Sequence, residues 1–343
     1  MKTFLSSVAA LGLLAGNLLA QTDTPYKVLD TTQLMGSGGI DYVYADSDGR
    51  RAYVPRGGNT FVFDLDSHKY IGAITNLGGH GVAIDTRTHH GFASGAKVGM
   101  FDTETMQKLK DIDVQGRPDG ILFEPFTGKV LIFSHQSPNV SLIDPQDGSV
   151  TGTLDLDGSP EQAQSDGQGH LYVDLEDKDK IAVVDLKAMK VTANYDLQGK
   201  GGGPGGLGFD VKNHVLFAMC HEPATCVVLN ADNGNILATL PLGNGTDGGG
   251  FNPNTMEAFS SQRDGTLTII KESSPTSFAV EQTVQTKPGC KTCSLDSKNN
   301  NIITICTERM PGAPTPPPST NAPAGERRSR GGPGNLDVLW VGR

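Results

Sequence analysis

The sequence has little positive charge and no stretch with the period of an amphipathic helix. Its 343 residues include 28 Lys and Arg against 38 Asp and Glu, which gives a formal net charge of -10. An acidic surface repels phosphate backbones, so we do not expect nucleic acid as a partner. Without a helical period, the chain consists of short apolar segments separated by turn residues. These two absences favour an all-β protein whose partner is neither DNA nor RNA.

Long apolar runs are also missing, except at the N-terminus. Lys2 precedes an apolar stretch that ends at Ala20, a suitable residue for cleavage. This arrangement predicts a signal peptide at residues 1–20 and a mature chain at residues 21–343. No later segment is long enough to cross a membrane as a helix. We therefore expect a periplasmic or secreted protein with no transmembrane segment after signal removal.

Cysteine is scarce, and an exported protein meets oxidising conditions in which its five cysteines can pair. Cys220 and Cys226 flank a short loop, so we expect a disulfide there if the loop joins two antiparallel strands. One further pair could form among the remaining three, which are Cys290, Cys293 and Cys306. The Cys-x-x-Cys motif among them is followed by Ser294, whereas a c-type haem site needs histidine at that position.

The chain does contain a repeated unit, which is clearest at residues 116–156. Apolar segments begin at Ile121, Lys129 and Val140, and residues 149–156 alternate apolar and polar side chains. Turn residues rich in Asp, Pro and Gly separate these segments. The unit therefore consists of four short strands joined by three turns.

Two sets of turn residues repeat with a common period along the chain. Members of the first set follow the first strand of each unit and lie 39 to 44 residues apart. They are Asp46, Asp85, Glu124, Asp166, Asp210, Asn252 and Asp296. A second set, from Asp64 to Lys271, follows the third strand at spacings of 38 to 45 residues. A period of about 40 predicts a single all-β domain, a seven-bladed β-propeller with four antiparallel strands per blade.

The last unit needs a strand from the other end of the chain. Residues 293–296, 302–306 and 337–341 supply three strands, and residues 26–34 form a strand that no other unit uses. We expect this N-terminal strand to join the last blade and close the ring, which removes exposed sheet edges. Residues 311–334 within this blade are rich in Pro and Gly, and we predict a disordered loop.

Several strands resemble those of the YVTN-repeat family of seven-bladed propellers, which includes the YncE-like exported proteins. The resemblance rests on NVSLID at 139–144, DKIAVVD at 179–185, AYVP at 52–55 and LYVD at 171–174. It extends over essentially the whole mature chain and implies an extracytoplasmic propeller. The family includes surface-layer repeats, binding modules and propeller domains of redox enzymes, so the resemblance implies no single function.

Two rings of polar residues are expected at one mouth of the central channel. The first strand of each blade lines the channel, and its start lies on the same face as the loop between the second and third strands. Counting five residues back from each turn marker gives Asp41, His80, Asp119, Glu161, Gly205, Asp247 and Lys291. Counting ten or eleven residues forward gives Arg56, Gly95, His135, Glu176, His221, Gln262 and Cys306. The charged and imidazole side chains of these rings are the candidate ligand-binding residues.

The first ring offers a candidate metal site. His80, Asp119 and Glu161 could hold a divalent ion, because carboxylate oxygen and imidazole nitrogen suit hard and borderline metals. The alternative is that these residues are polar only because water fills the channel mouth.

The second ring adds groups that could move protons or bind an anion. His135 or His221 near Glu176 could transfer a proton, and Arg56 could bind an anion. No motif pairs a nucleophile with a base, which favours binding over catalysis.

We therefore expect an exported, monomeric, non-catalytic propeller that binds a ligand or protein partner on the channel-mouth face. The alternative is a metal-dependent, lactonase-like hydrolase or a propeller subunit that supports a redox enzyme.

Overall fold

The computed structural model describes residues 24–309 and 333–343, and these residues form seven four-stranded antiparallel sheets. The innermost strands of successive sheets contact one another in a closed cycle, so the sheets are the blades of a seven-bladed propeller. The predicted fold class is confirmed. Between the strands lies one 3₁₀ turn, Glu176–Lys178.

Within each blade, the strands follow one another from the channel outwards. The first strand of the chain, β1 (Lys27–Gly36), belongs to blade 7. Blade 1 contains β2 (Tyr44–Asp46), β3 (Arg51–Arg56), β4 (Asn59–Asp64) and β5 (Tyr70–Ile74). Blade 2 contains β6 (Val82–Asp85), β7 (His90–Ala93), β8 (Val98–Asp102) and β9 (Gln107–Ile112). Blade 3 contains β10 (Pro118–Glu124), β11 (Lys129–Ser134), β12 (Val140–Ile143) and β13 (Val150–Leu154).

The remaining four blades follow the same order. Blade 4 contains β14 (Pro160–Ser165), β15 (His170–Leu175), β16 (Lys180–Asp185) and β17 (Lys190–Asp196). Blade 5 contains β18 (Pro204–Asp210), β19 (Val215–Cys220), β20 (Thr225–Asn230) and β21 (Ile236–Pro241). Blade 6 contains β22 (Thr246–Asn252), β23 (Glu257–Gln262), β24 (Thr266–Ser274) and β25 (Ser277–Gln285). Blade 7 contains β26 (Cys290–Asp296), β27 (Asn301–Arg309), β28 (Gly334–Gly342) and finally β1.

The turn markers that revealed the repeat cap the turns after the innermost strands. Asp46 Oδ1 accepts a hydrogen bond from Gly49 N at 2.9 Å, and Glu124 Oε2 accepts one from Thr127 N at 2.7 Å. Short acidic or amide side chains recur there because they satisfy backbone N–H groups that the turn leaves unpaired.

The ring is closed by pairing the two ends of the chain, as predicted. β1 runs antiparallel to β28 from Lys27 opposite Gly342 to Gly36 opposite Gly334. The single tryptophan, Trp340, is fully buried in a cluster that joins blade 7 to blade 1, and the His68 ring stacks on it at 4.3 Å. Trp340 therefore packs between blades 7 and 1.

The cysteines pair differently from the main expectation. Cys290 and Cys306 lie directly opposite each other on β26 and β27 and form a disulfide, with their Cα atoms 4.1 Å apart. Cys220 and Cys226 are buried free thiols, so the predicted bond between them is wrong. Met219, not Cys220, lies opposite Cys226, and consecutive residues of a strand face opposite sides of the sheet. The two thiols therefore belong to different core clusters.

Two predicted segments lie outside the described residues. These are the signal peptide at 1–20 and the loop at 311–334, except for the last two loop residues, of which Gly334 begins β28. Among residues 24–309 and 333–343, no helix has the length and apolarity needed to span a membrane.

Candidate functional site

The first predicted ring forms because the innermost strands begin at the same mouth of the channel. Five of its residues take the second position of their strand, namely Asp119 in β10, Glu161 in β14, Gly205 in β18, Asp247 in β22 and Lys291 in β26. Asp41 and His80 lie shortly before β2 and β6. Equivalent positions in seven similar blades are thereby brought around one axis.

Ion pairs join these residues from blade to blade. Lys291 Nζ lies 3.1 Å from Asp247 Oδ2 and 2.7 Å from Asp41 Oδ1. On the other side of Asp41, Oδ2 lies 2.7 Å from His80 Nδ1, which in turn lies 3.4 Å from Asp119 Oδ1. The contacts connect blades 6, 7, 1, 2 and 3 without interruption.

Two residues of the second predicted ring extend this network to blade 4. His135 Nε2 lies 3.4 Å from Asp119 Oδ2 and 3.2 Å from Glu161 Oε1. The carboxyl group of Glu176 contacts that of Glu161. We call the connected set the mouth arc, and it consists of Asp247, Lys291, Asp41, His80, Asp119, His135, Glu161 and Glu176.

Blade 5 contributes through His221. A Cβ atom on Gly205 would lie only 2.5 Å from His221 Nε2, so the imidazole occupies the space that a ring side chain would take. Burial lowers the pKa of His221 from its ordinary value, which keeps the imidazole neutral at pH 7. His221 is therefore an uncharged neighbour of an otherwise charged mouth.

Arg56 does not take part in the mouth arc. Its side chain is buried, and its guanidinium donates hydrogen bonds to three backbone carbonyls, those of Leu34, Gly38 and Gly334. These acceptors lie in or next to the two strands that close the ring. The expectation that Arg56 binds an anion at the mouth is corrected, because its donors serve the seam between blades 1 and 7.

Sequence reasoning missed three residues that contact the arc. The Tyr42 hydroxyl donates a 2.9 Å hydrogen bond to Glu161 Oε2, which links blade 1 to blade 4 across the channel. Arg117 Nη2 lies 3.4 Å from His135 Nδ1, and Arg263 Nη2 lies 3.0 Å from Asp247 Oδ2. Both arginines are within two residues of counted ring positions, so a wider count would have included them. The contact of Tyr42 with Glu161 could not be predicted from the repeat, because it joins blades that are not neighbours.

The close packing of charges shifts the pKa values of the arc. Burial acts to lower the pKa of His135, but contact with Glu161 and the nearby Asp119 outweigh it and raise that pKa. Burial acts to raise the pKa of Glu161, and contact with His135 outweighs it and lowers that pKa. Burial and the charge of Glu161 raise the pKa of Glu176 to about 7. The charge of Glu176 therefore changes near neutral pH.

Two groups in the arc have ligand atoms close enough to hold a metal ion. Asp41, His80 and Asp119 form one, Asp119, His135 and Glu161 form the other, and within each group the ligand atoms lie within 4.8 Å of one another. The sequence predicted His80, Asp119 and Glu161 as a single set. The structure divides them between two sets that share Asp119.

A cavity of about 310 Å³ lies in the channel beside the arc, and Tyr42 and Glu161 line it. Gln162 also lines it, and its Oε1 accepts hydrogen bonds from Leu207 N at 3.0 Å and Gly249 N at 3.2 Å. This side chain ties blade 4 to blades 5 and 6 along the channel wall.

Several solved structures are similar to this chain over nearly their whole length, at low sequence identity. A chain of "Crystal Structure of Mitotic Checkpoint Complex" has 13% identity and a TM-score of 0.69, covering 98% of this chain and 99% of that chain. "Structure of U3-55K" has 10% identity and a TM-score of 0.71, covering 92% and 99%. The "WD40 beta propeller domain of Doa1" has 15% identity and a TM-score of 0.69, covering 93% and 98%.

No family model and no curated protein matches the sequence. Identities this low establish the fold alone, which is a seven-bladed propeller with a WD40 propeller among its structural neighbours.

Proposed function

We propose that this protein is an exported, non-catalytic propeller of the YVTN-repeat type whose mouth arc binds a positively charged ligand. One observation carries the proposal, which is an excess of negative charge at the mouth. Five carboxylates, those of Asp41, Asp119, Glu161, Glu176 and Asp247, face three cationic side chains, those of Lys291, Arg117 and Arg263. Acidic side chains therefore outnumber Lys and Arg side chains at this mouth, and partial burial strengthens the attraction of the carboxylates for a cation.

The contacts within the arc favour binding over catalysis. His80 is paired with Asp41, and His135 lies between Asp119 and Glu161. Imidazoles that are already engaged by carboxylates are less available to exchange protons with a substrate.

Export is supported by the predicted signal peptide and by the Cys290–Cys306 disulfide, since such bonds persist in oxidising compartments. We expect a monomer in the periplasm or outside the cell. Fractionation of cells that produce the tagged full-length chain tests this, and a cytoplasmic, uncleaved product would contradict it.

Calorimetric titration of the mature chain with spermidine and with arginine methyl ester tests the binding proposal. We expect binding that weakens as NaCl is raised, because the attraction is electrostatic. The double variant Asp119→Asn/Glu161→Gln should lose at least tenfold in affinity. Asp232→Asn is the matched control. Asp232 is an exposed acid of blade 5 outside the mouth arc, and its Oδ1 lies 2.7 Å from His214 Nδ1.

Absence of binding by spermidine, arginine methyl ester and divalent metal ions alike would refute the proposal. Equal affinity of the wild-type chain and the double variant would also refute it, because it would place the binding elsewhere.

A further inference from the structure

We infer that Asp119, His135 and Glu161 form a binding site for one divalent transition-metal ion of the Zn²⁺ and Co²⁺ class. The inference rests on the proposed function, since the ion would be a positively charged ligand of the mouth arc. The inference specifies that the ligand is a metal ion and that it binds one of the two overlapping groups of ligand atoms.

The His135 nitrogen already has the spacing from two carboxylate oxygens that a small metal ion requires, and the three ligand atoms all lie within 4.8 Å of one another. His135 Nε2 lies 3.2 Å from Glu161 Oε1 and 3.4 Å from Asp119 Oδ2. Metal bonds to nitrogen and carboxylate oxygen are about 2.0–2.2 Å long, so neighbouring ligands of a tetrahedral ion lie roughly 3.4 Å apart. An ion can therefore enter between these atoms with little movement of the side chains.

The burial of His135 Nε2 is a second observation that points to a ligand, although Glu161 Oε1 lies 3.2 Å from this atom. The His135 side chain is only 10% exposed. Its Nε2 atom is buried, and no group in the described part of the chain makes a hydrogen bond of normal geometry to it. Buried polar atoms normally have a partner, and a metal ion between Nε2 and the two carboxylates would supply one.

The other group is less suited to an ion because its charges are already paired. Lys291 Nζ lies 2.7 Å from Asp41, and His80 Nδ1 lies 2.7 Å from the second oxygen of the same carboxylate. An ion at Asp41, His80 and Asp119 would face the lysine ammonium and displace a short hydrogen bond.

The donor set and its surroundings define the class of ion. One imidazole and two carboxylates suit Zn²⁺, Co²⁺ or Mn²⁺, whereas Ca²⁺ takes six to eight oxygen ligands. Tyr42 holds the second oxygen of Glu161 at 2.9 Å, which is the kind of outer contact that orients a ligating carboxylate. Arg117 opposes binding, because its guanidinium faces His135 Nδ1 at 3.4 Å, where metal-bound histidine must carry its proton.

The experiment titrates Zn²⁺ and Co²⁺ into the metal-stripped mature chain by calorimetry and follows the visible absorption of Co²⁺. We expect one ion per chain and the intense absorption of four-coordinate Co²⁺. His135→Gln and Glu161→Gln should each weaken binding at least 30-fold, an expectation of the order found for lost metal ligands and their supports. Arg117→Gln should tighten binding several-fold, because the amide oxygen can accept the Nδ1 proton and the cation is gone.

A control variant and a discriminating variant complete the experiment. His214→Gln is the control, because it removes an exposed histidine that also pairs with a carboxylate, and it should leave Zn²⁺ binding unchanged. His80→Gln removes a ligand of the other group, and it should weaken Zn²⁺ binding far less than His135→Gln does.

If His80→Gln abolishes binding and His135→Gln does not, the ion occupies the other group and the inference fails. Failure of both metals to bind while spermidine or arginine methyl ester binds would overturn the metal site and leave the proposed function standing. Weaker binding of Zn²⁺ to Arg117→Gln would contradict the assignment of His135 Nε2 as the metal ligand and of Nδ1 as the protonated nitrogen.

Discussion

A buried glutamate between blades 5 and 6, Glu272, should make this propeller less stable as the pH rises. Glu272 is 2% exposed, and its Oε1 accepts a 2.8 Å hydrogen bond from Asn213 Nδ2. Burial and the neighbouring carboxyl group of Asp210 raise its pKa to about 7, against an ordinary value of 4.5. The folded chain therefore binds this proton more tightly than the unfolded chain does.

The sign and size of the effect follow from this difference in pKa. A raised pKa contributes stability that is complete below pH 4.5 and is lost as the pH rises through 7. Each pKa unit corresponds to about 1.4 kcal/mol, so the shift sets an upper limit of about 3.5 kcal/mol. Relaxation and water around the carboxylate reduce this, and we expect a loss of about 2 kcal/mol in the free energy of unfolding.

Glu272→Gln isolates the effect, because glutamine can still accept from Asn213 and can donate to Asp210 without carrying a charge. Urea unfolding should show the variant about 2 kcal/mol more stable than the wild-type chain at pH 8 and within about 0.5 kcal/mol of it at pH 4.5. Glu104→Gln is the control, since the Glu104 side chain is 73% exposed and should show no such difference. A Glu272→Gln advantage that is the same at both pH values would refute the reasoning.

Three further predictions concern the ring and its mouth. Deleting residues 24–36 should expose Trp340 and shift its fluorescence to longer wavelength at room temperature, because β1 covers the outer edge of blade 7; unchanged emission and melting temperature would exclude this closure. Cys306→Ser should lower the free energy of unfolding by about 3 kcal/mol through loss of the crosslink to Cys290, and thiol titration of the unfolded wild-type chain should find three free thiols; a count of one would contradict the assignment. Gly205→Ala should push the His221 imidazole towards solvent and return its pKa towards the ordinary value, as measured by NMR titration; an unchanged titration would show that the two residues are not in contact.

The repeat allowed the fold to be predicted because its markers have a local cause. Asp46 and Glu124 recur at one place in each unit to cap the same turn, so their spacing counts the blades directly. The closure followed from the same count, since blade 7 lacked a strand that only the N-terminal segment could supply. Local chemistry and chain length were sufficient for both conclusions.

The composition of the site was less predictable because it depends on which way each side chain turns. Arg56 and His135 occupy equivalent positions of the count, yet Arg56 points to the carbonyls of the closing strands and His135 to the channel mouth. The Arg56 side chain turns away from the mouth because backbone carbonyls at the seam between blades 1 and 7 accept hydrogen bonds from its guanidinium. The predicted disulfide between Cys220 and Cys226 was wrong for a related reason. The strand register pairs Cys226 with Met219 instead of Cys220, so the two sulfurs lie on opposite faces of the sheet.

The glycine in the first ring shows why counting residue types along the sequence misses a side chain that lies at the channel mouth. Gly205 suggests a blade without a ring side chain, but the missing Cβ is what allows His221 to enter the space from the neighbouring loop. Side chains therefore surround the mouth at blade 5 as well, but the ring of charge is interrupted there. Burial keeps His221 neutral between the acids of blade 4 and Asp247 of blade 6. Under the proposed function, a cationic ligand would be drawn towards blades 3 and 4, where Asp119, Glu161 and Glu176 lie together. The asymmetry of charge, rather than the seven-fold repeat, determines where on the ring a ligand would bind.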